Sequence, residues 1–304
     1  MAGGPGAIKL AMVLIGIGCA PVLMASYYIF ARVYSPAVFG TLAGAVIGFG
    51  SLGNIAASLP LSAVVDLVGW RGALWGMTAL TLVVAGAIAL VVRDPERVEG
   101  AGKGSVLDVL KIPALWPVLA MMAVAYAPAA GVRGLWTGPY FTDVFGADAA
   151  AIGRATLAMG VAMVLGNFAY GPLDRVLGTR KWLIFGGNVL MASCLLGLFL
   201  VPDAGGWVTL ALLCGVGFFG SSFPMVVAHG RAFMPPQLVG RGVTLINLFG
   251  IGSTGLLQIV TGRLHGALAD PAQASAPYAG LFLFYTVLVA MGLTVYLWSQ
   301  DRRD

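Results

Sequence analysis

The sequence predicts an all-α membrane protein of about nine transmembrane helices. Three observations carry that reading. Hydrophobic residues make up 59% of the 304-residue chain, charged residues only 10%, and the mean hydropathy is +0.93. Soluble domains are roughly 45–50% apolar. The apolar residues gather into runs near the ~20 residues that a bilayer-crossing helix needs. The cations fall mostly on alternate loops, as they do in proteins oriented in a membrane.

The runs are, in order, 10–31, 38–63, 73–92, 113–140, 151–171, 182–201, 207–229, 242–262 and 278–298. Short polar turns separate most of them. The exception is 93–112, RDPERVEGAGKGSVLDVLKI, the longest polar stretch. It reads as a linker, its second half suited to a short surface helix ahead of Pro113. The expected organisation is a partial half of three helices (1–92), a cytoplasmic linker (93–112) and a six-helix half (113–304). The first run is too long for a cleaved signal peptide and has only Lys9 ahead of it.

The net charge of +5 is read by position, not as an affinity for nucleic acid. One set of loops holds Arg32; Arg93, Arg97, Lys103 and Lys111; Arg175, Arg180 and Lys181; Arg231 and Arg241; Arg302 and Arg303. The opposite set holds Lys9, Arg71, Arg154 and Arg263, and Arg133 lies within a span. The richer side is expected to be cytoplasmic. That places the C-terminus in the cytoplasm and the protein, multi-pass, in the inner (plasma) membrane of the cell. Cys19, Cys194 and Cys214 sit inside apolar runs without metal-ligand spacing and read as small buried hydrophobes. Neither metal nor cofactor is expected. No nucleophile–base pair or phosphate loop stands out, and there are two histidines, so an enzyme is not expected.

Residues 16–50 and 215–250 repeat one another. GIG at 16–18 answers GVG at 215–217; Arg32 and Pro36 answer Arg231 and Pro235; Gly40 answers Gly240; Phe49-Gly50 answers Phe249-Gly250. The second copy follows three spans after the linker, whereas the first begins in the first span. The parent plan is therefore two parallel six-span halves, as in one large class of secondary transporters. On this reading the chain carries the last three helices of the first half and all of the second.

Between the fifth and sixth runs stands YGPLDRVLGTRK. It resembles the cytoplasmic signature of the major facilitator superfamily, G-x-x-x-D-R-x-G-R-R/K. Asp174, Arg175, Gly178, Arg180 and Lys181 fit its residue types. Tyr170 stands where the first glycine is expected, and one extra residue separates Arg175 from Gly178. GLWTGPY at 134–140 also looks like the seventh span of bacterial members. The resemblance covers almost the whole chain and implies an MFS-type helical bundle. It implies that Asp174 and the nearby cations form a cytoplasmic gating latch, with Arg175 or Arg180 as the partner of Asp174. Simple positive-inside anchoring is the alternative, and it needs the cations but not Asp174.

The same resemblance places the first, fourth, seventh and tenth spans around a substrate cavity. Arg133 falls in the seventh. A charged residue within a span is a functional suspect, because it costs at least ~2.5–3.5 kcal/mol at the bilayer centre. Its guanidinium suits a carboxylate or phosphate, although snorkelling or bonding to helix-end carbonyls also explains it. The other candidates are Tyr126, Trp136 and Tyr140 in the same span, Tyr27 and Tyr28 in the fourth-span equivalent, and Ser221 and Ser222 in the tenth. Asn54, Asn167, Asn188, Asn247 and Gln258 read as buried amides joining helices. No Asp or Glu lies deep in a run.

The expected function is alternating-access secondary transport of a small solute, with Arg133 tilting the reading towards an organic anion. The lipid bilayer and that solute are the expected partners, and nucleic acid is not. The alternative is a transport-inactive fragment or scaffold subunit of a truncated transporter, for which a partner would supply the missing helices.

Overall fold

The computed structural model describes residues 4–33, 46, 49–50, 52–53, 55–92, 105–235, 238–269 and 273–302. Among these residues the regular structure is helical, without strands. Seven helices are long and apolar enough to cross a membrane. The chain divides into two compact units, Met1–Ala56 with Val64–Glu99, and Ala57–Ala63 with Gly100–Asp304.

In the first unit, the run expected at 10–31 is two helices, α1 (Pro5–Cys19) and α2 (Val22–Val33). The break falls at Pro21, which has no N–H to donate and whose ring clashes with the preceding turn. Of the second expected span, 38–63, residues 38–45, 47–48, 51 and 54 lie outside the described residues, and 59–63 begin the next long helix. The third, expected at 73–92, belongs to α3 (Leu59–Val91). That helix is interrupted at Gly69, whose φ of 73° is one that glycine adopts without penalty. Beyond the break α3 exposes Leu74, Trp75, Leu80, Val83 and Leu90. An apolar surface on this scale belongs in lipid.

The second unit opens with α4 (Val106–Leu110), the short helix expected before Pro113. Ser105 caps it by accepting from the Leu107 N–H at 3.2 Å, while Asp108 accepts from the Ser105 N–H at 2.8 Å. This reciprocal cap satisfies amides that a helix start leaves unpaired. The next span is continuous from Pro113 to Phe145 but irregular. It comprises a 3₁₀ turn, α5 (Trp116–Ala125), α6 (Ala127–Gly131), a π-helical turn (Val132–Trp136) and α7 (Thr137–Phe145). Pro128 and Pro139 remove amides from its backbone ladder.

Then come α8 (Ala149–Leu177), α9 (Arg180–Leu200), α10 (Gly206–Phe219), α11 (Phe223–Arg231), α12 (Val239–Ala267) and α13 (Ala276–Tyr296). α10 and α11 form one span, Gly206–Arg231, broken at residues 220–222. Helix α5 sits between α12 and α13; α9 packs on α10 and α13, and α8 on α10. The core includes Leu119, Met121, Met122, Met159, Ile184, Met191, Phe282 and Tyr285.

Small residues bring α8 and α10 together. A Cβ on Gly166 would lie 2.3 Å from the Phe218 carbonyl oxygen, and one on Gly217 would lie 3.0 Å from that of Met159. Close backbone approach of this kind is a main source of helix association in lipid. Further along, Gly250 also packs closely, against Phe223 and Met122, whereas Gly255 faces open space. The amide reading also divides. Asn188 is fully buried and donates to Ser222 Oγ at 3.1 Å, but Asn167 is exposed. Asn54 lies outside the described residues.

Candidate functional site

Two places in the second unit gather the chemistry that the sequence singles out. The first is the irregular span around Arg133, on the π-helical turn. Its side chain is half-buried. Nε donates to the Thr156 carbonyl at 3.3 Å and Nη2 to Ser58 Oγ at 2.8 Å. Ser58 belongs to the 57–63 segment of the same unit. The guanidinium lies over Gly160, where a Cβ would sit 3.0 Å from Nη2. Tyr126, two turns earlier, is near enough to interact electrostatically with Arg133 and packs edge-on against Phe223, centroids 5.0 Å apart. π-turns of this kind are frequent at functional sites, where they re-aim a side chain.

The remaining candidates join helices. Trp136 is buried, donates to Thr261 Oγ1 at 3.2 Å and stacks on His265 at 4.9 Å. Tyr140 is buried against Tyr278 and Phe282, and its hydroxyl donates to the Pro202 carbonyl. Ser221 donates to the Met163 carbonyl at 2.9 Å and Ser222 accepts from Asn188. The backbone of Tyr27 and Tyr28 belongs to α2, but their side chains lie outside the description.

The second place is the motif at 170–181. α8 ends at Leu177, and Gly178 follows with φ 72°, its N–H bonded to the Asp174 carbonyl at 3.2 Å. A left-handed C′ residue closes many helices and is most often glycine. The extra residue ahead of Gly178 is absorbed as one more helical position. Arg180 is the ionic partner of Asp174, with Nε 3.3 Å from Oδ2, and Nη1 reaches the Ala228 carbonyl at 3.3 Å. Arg175 is exposed. Arg180 therefore ties α8 to the last turn of α11, where a cation also suits the helix dipole.

Three participants were not singled out in the sequence. Thr179 caps α9 by accepting from the Trp182 N–H at 3.3 Å. A glycine that stops one helix, followed by a threonine that starts the next, is a readable signal. The second is Asp301. Asp174 lies near the C-terminus of α8, so the carboxylate at the α9 N-terminus is Asp301. It accepts from the Lys181 N–H at 3.0 Å and from the Thr179 hydroxyl. Partial burial alone would raise its pKa, but these hydrogen bonds hold the carboxyl below its ordinary value. The third is the 297–302 segment as a whole: Lys181 Nζ also donates to the Leu297 carbonyl at 2.7 Å. Asp301 and Leu297 lie more than a hundred residues from the motif, so nothing local in sequence points to them.

Fold and site together describe a polytopic, all-helical membrane protein. The sequence profile of the Major Facilitator Superfamily matches residues 5–257. The chain belongs to that superfamily, a family of secondary transporters whose members are generally not enzymes. No characterised protein matches it individually.

Proposed function

We propose that the protein moves a small organic anion across the plasma membrane by alternating access, with Arg133 as the binding group. The carrying observation is the placement of Arg133: a half-buried guanidinium on a π-turn of a membrane-spanning segment. Keeping a cation at that depth is costly, and a fork-shaped donor set repays the cost best against a planar carboxylate or a phosphate. When substrate arrives, it competes with Ser58 Oγ and the Thr156 carbonyl for the guanidinium. Tyr126 offers a neutral hydroxyl alongside.

The two six-helix halves of the family plan rock about the site. The Asp174–Arg180 pair acts as a cytoplasmic latch, joining α8 to α11 in one access state and loosening in the other. The cation distribution supports a cytoplasmic placement of this end and of the C-terminus.

The test is a binding screen on the purified chain in lipid nanodiscs, using a panel of mono- and dicarboxylates, phosphate esters and neutral sugars. Binding of an anion is expected to be lost in Arg133→Ala and weakened at least about tenfold in Arg133→Lys, since lysine lacks the bidentate fork. Equal binding by wild type and Arg133→Ala would return the arginine to a structural role. A folded chain that binds no solute would favour the inactive-fragment reading.

A further inference from the structure

His229 is fully buried near the end of α11. Both ring nitrogens are engaged by the segment that closes the chain. Nε2 lies 2.9 Å from the Gln300 carbonyl, and Nδ1 lies 2.6 Å from the Tyr296 hydroxyl. A carbonyl only accepts, so Nε2 carries the hydrogen. In the neutral ring Nδ1 is then the acceptor, and the Tyr296 hydroxyl donates to it. Among the described residues that hydroxyl has no other hydrogen-bond partner.

The same segment is tied to α9 through Leu297 and Asp301, and Arg302 lies over the Phe233 ring at 5.8 Å. Phe233 packs edge-on against His229, centroids 5.2 Å apart. Residues 297–302 thus form a strap over the ends of α9 and α11, with His229 as its buried pin.

We infer that His229 is a proton-binding site that sets whether this strap is docked, so that proton uptake releases it and frees the end of the helix bundle. A second proton would have to go on Nδ1, where it meets the Tyr296 O–H hydrogen head-on. The hydroxyl would have to turn away with no other described acceptor to receive it. The new cation would also sit among cations. Arg180 bonds the carbonyl of the adjacent Ala228, Lys181 faces the strap from α9, Arg231 lies on the same helix, and Arg302 lies beyond Phe233. Asp301, within the strap, is the carboxylate that opposes them, and Asp174 on α8 is already paired with Arg180. The faces of α5 and α12 nearest this turn are apolar: Val118 and Ile246 pack against Gly230. The docked strap therefore requires neutral His229, and docking weakens as pH falls through the imidazole range. The inference rests on this geometry alone, not on the identity of the solute.

Hydrogen exchange of the 297–302 amides tests it, on the full chain in lipid nanodiscs and corrected for the chemical exchange rate. Protection is expected to fall several-fold, up to about tenfold, between about pH 8 and about pH 5.5, a window that brackets the ordinary histidine pKa and lies above that of a carboxylate. His229→Gln keeps a donor and an acceptor but does not titrate, and its protection is expected to be flat over that window. Constant protection in wild type, or an equal fall in His229→Gln, overturns the proposal. If His229→Gln is unprotected at both values, Tyr296→Phe decides. Removing the competing hydroxyl should raise the midpoint of the transition, and an unmoved midpoint overturns the proposal. Asp301→Asn should lower protection throughout and keep the pH step, with the midpoint moved downward, since the carboxylate that favours the imidazolium is gone. Loss of the pH step in that variant would assign it to Asp301 and refute the role of His229.

Discussion

Arg180→Ala separates the latch geometry from simple positive-inside anchoring. The side chains of Arg180 and Asp174 are 14% and 17% exposed, so the pair is largely withdrawn from water. Removing one partner of a fully buried pair costs about 3–5 kcal/mol, whereas exposed pairs contribute about 0–1. A hydrogen bond to a charged group contributes about 1.5–3 kcal/mol. The residual exposure and the long 3.3 Å contacts set the expected loss at about 2 kcal/mol, towards the lower part of that range. For a unit of this size that is a fall of roughly 4–8 °C in Tm. Arg175, one residue beyond Asp174 but exposed, should cost less than about 0.5 kcal/mol when truncated. Thermal denaturation of both variants in the same detergent measures the difference. In a double-mutant cycle, Asp174→Asn with Arg180→Ala should be less destabilising than the sum of the two singles. Equal shifts for Arg175→Ala and Arg180→Ala, or additive behaviour in the cycle, would refute the pairing and leave only the count of cations.

Further outcomes follow from the same geometry. Gly166→Ala forces a methyl to within 2.3 Å of the Phe218 carbonyl oxygen, an overpacking that should cost at least about 1–3 kcal/mol, seen as a lower Tm or a loss of monodisperse protein. Thr179→Ala should cost about 1 kcal/mol through the lost α9 cap, while Thr179→Ser should stay within a few tenths; thermal denaturation reads both. The lowered pKa of Asp301 means that its contribution is present above the unfolded carboxylate pKa, near about 4, and is lost as pH falls through the folded value. Asp301→Asn should therefore flatten the acid limb of Tm against pH below about pH 4, and an unchanged limb would show that the carboxylate contributes nothing there.

How far the sequence was legible depended on how local the signal was. The six spans of the second unit were readable because each is a long apolar run between polar turns; the Ser105–Asp108 cap that starts the short helix before Pro113 emerged only in the structure. The interior breaks were harder. Pro21 and Pro128 sit inside apolar runs, where hydropathy is blind to a missing amide, whereas Gly69 falls between the runs expected at 38–63 and 73–92. The motif residues were identifiable, but their partners were not. Asp174 had two neighbouring arginines, and only the turn at Gly178 and Thr179 decides that Arg180 swings back to it. The strap joins positions such as Lys181 and Asp301, a separation beyond any periodicity argument. Trp136, Tyr140, Ser221 and Ser222 read equally well as substrate contacts or as helix glue, and a side chain's direction on a helix is what a residue list omits. In the structure each is engaged by a neighbouring helix or, for the Tyr140 hydroxyl, by the turn at Pro202.

The central claim is that this chain carries an anion through a site centred on Arg133. Its most direct test is counterflow in proteoliposomes reconstituted with the chain, each loaded with one unlabelled carboxylate and assayed for entry of the same labelled solute. The account predicts saturable, trans-stimulated entry for at least one carboxylate, absent in Arg133→Ala protein that is equally folded and equally inserted. Counterflow of that carboxylate at the wild-type rate in Arg133→Ala, or none above empty liposomes for any anion with correctly folded protein, would contradict it.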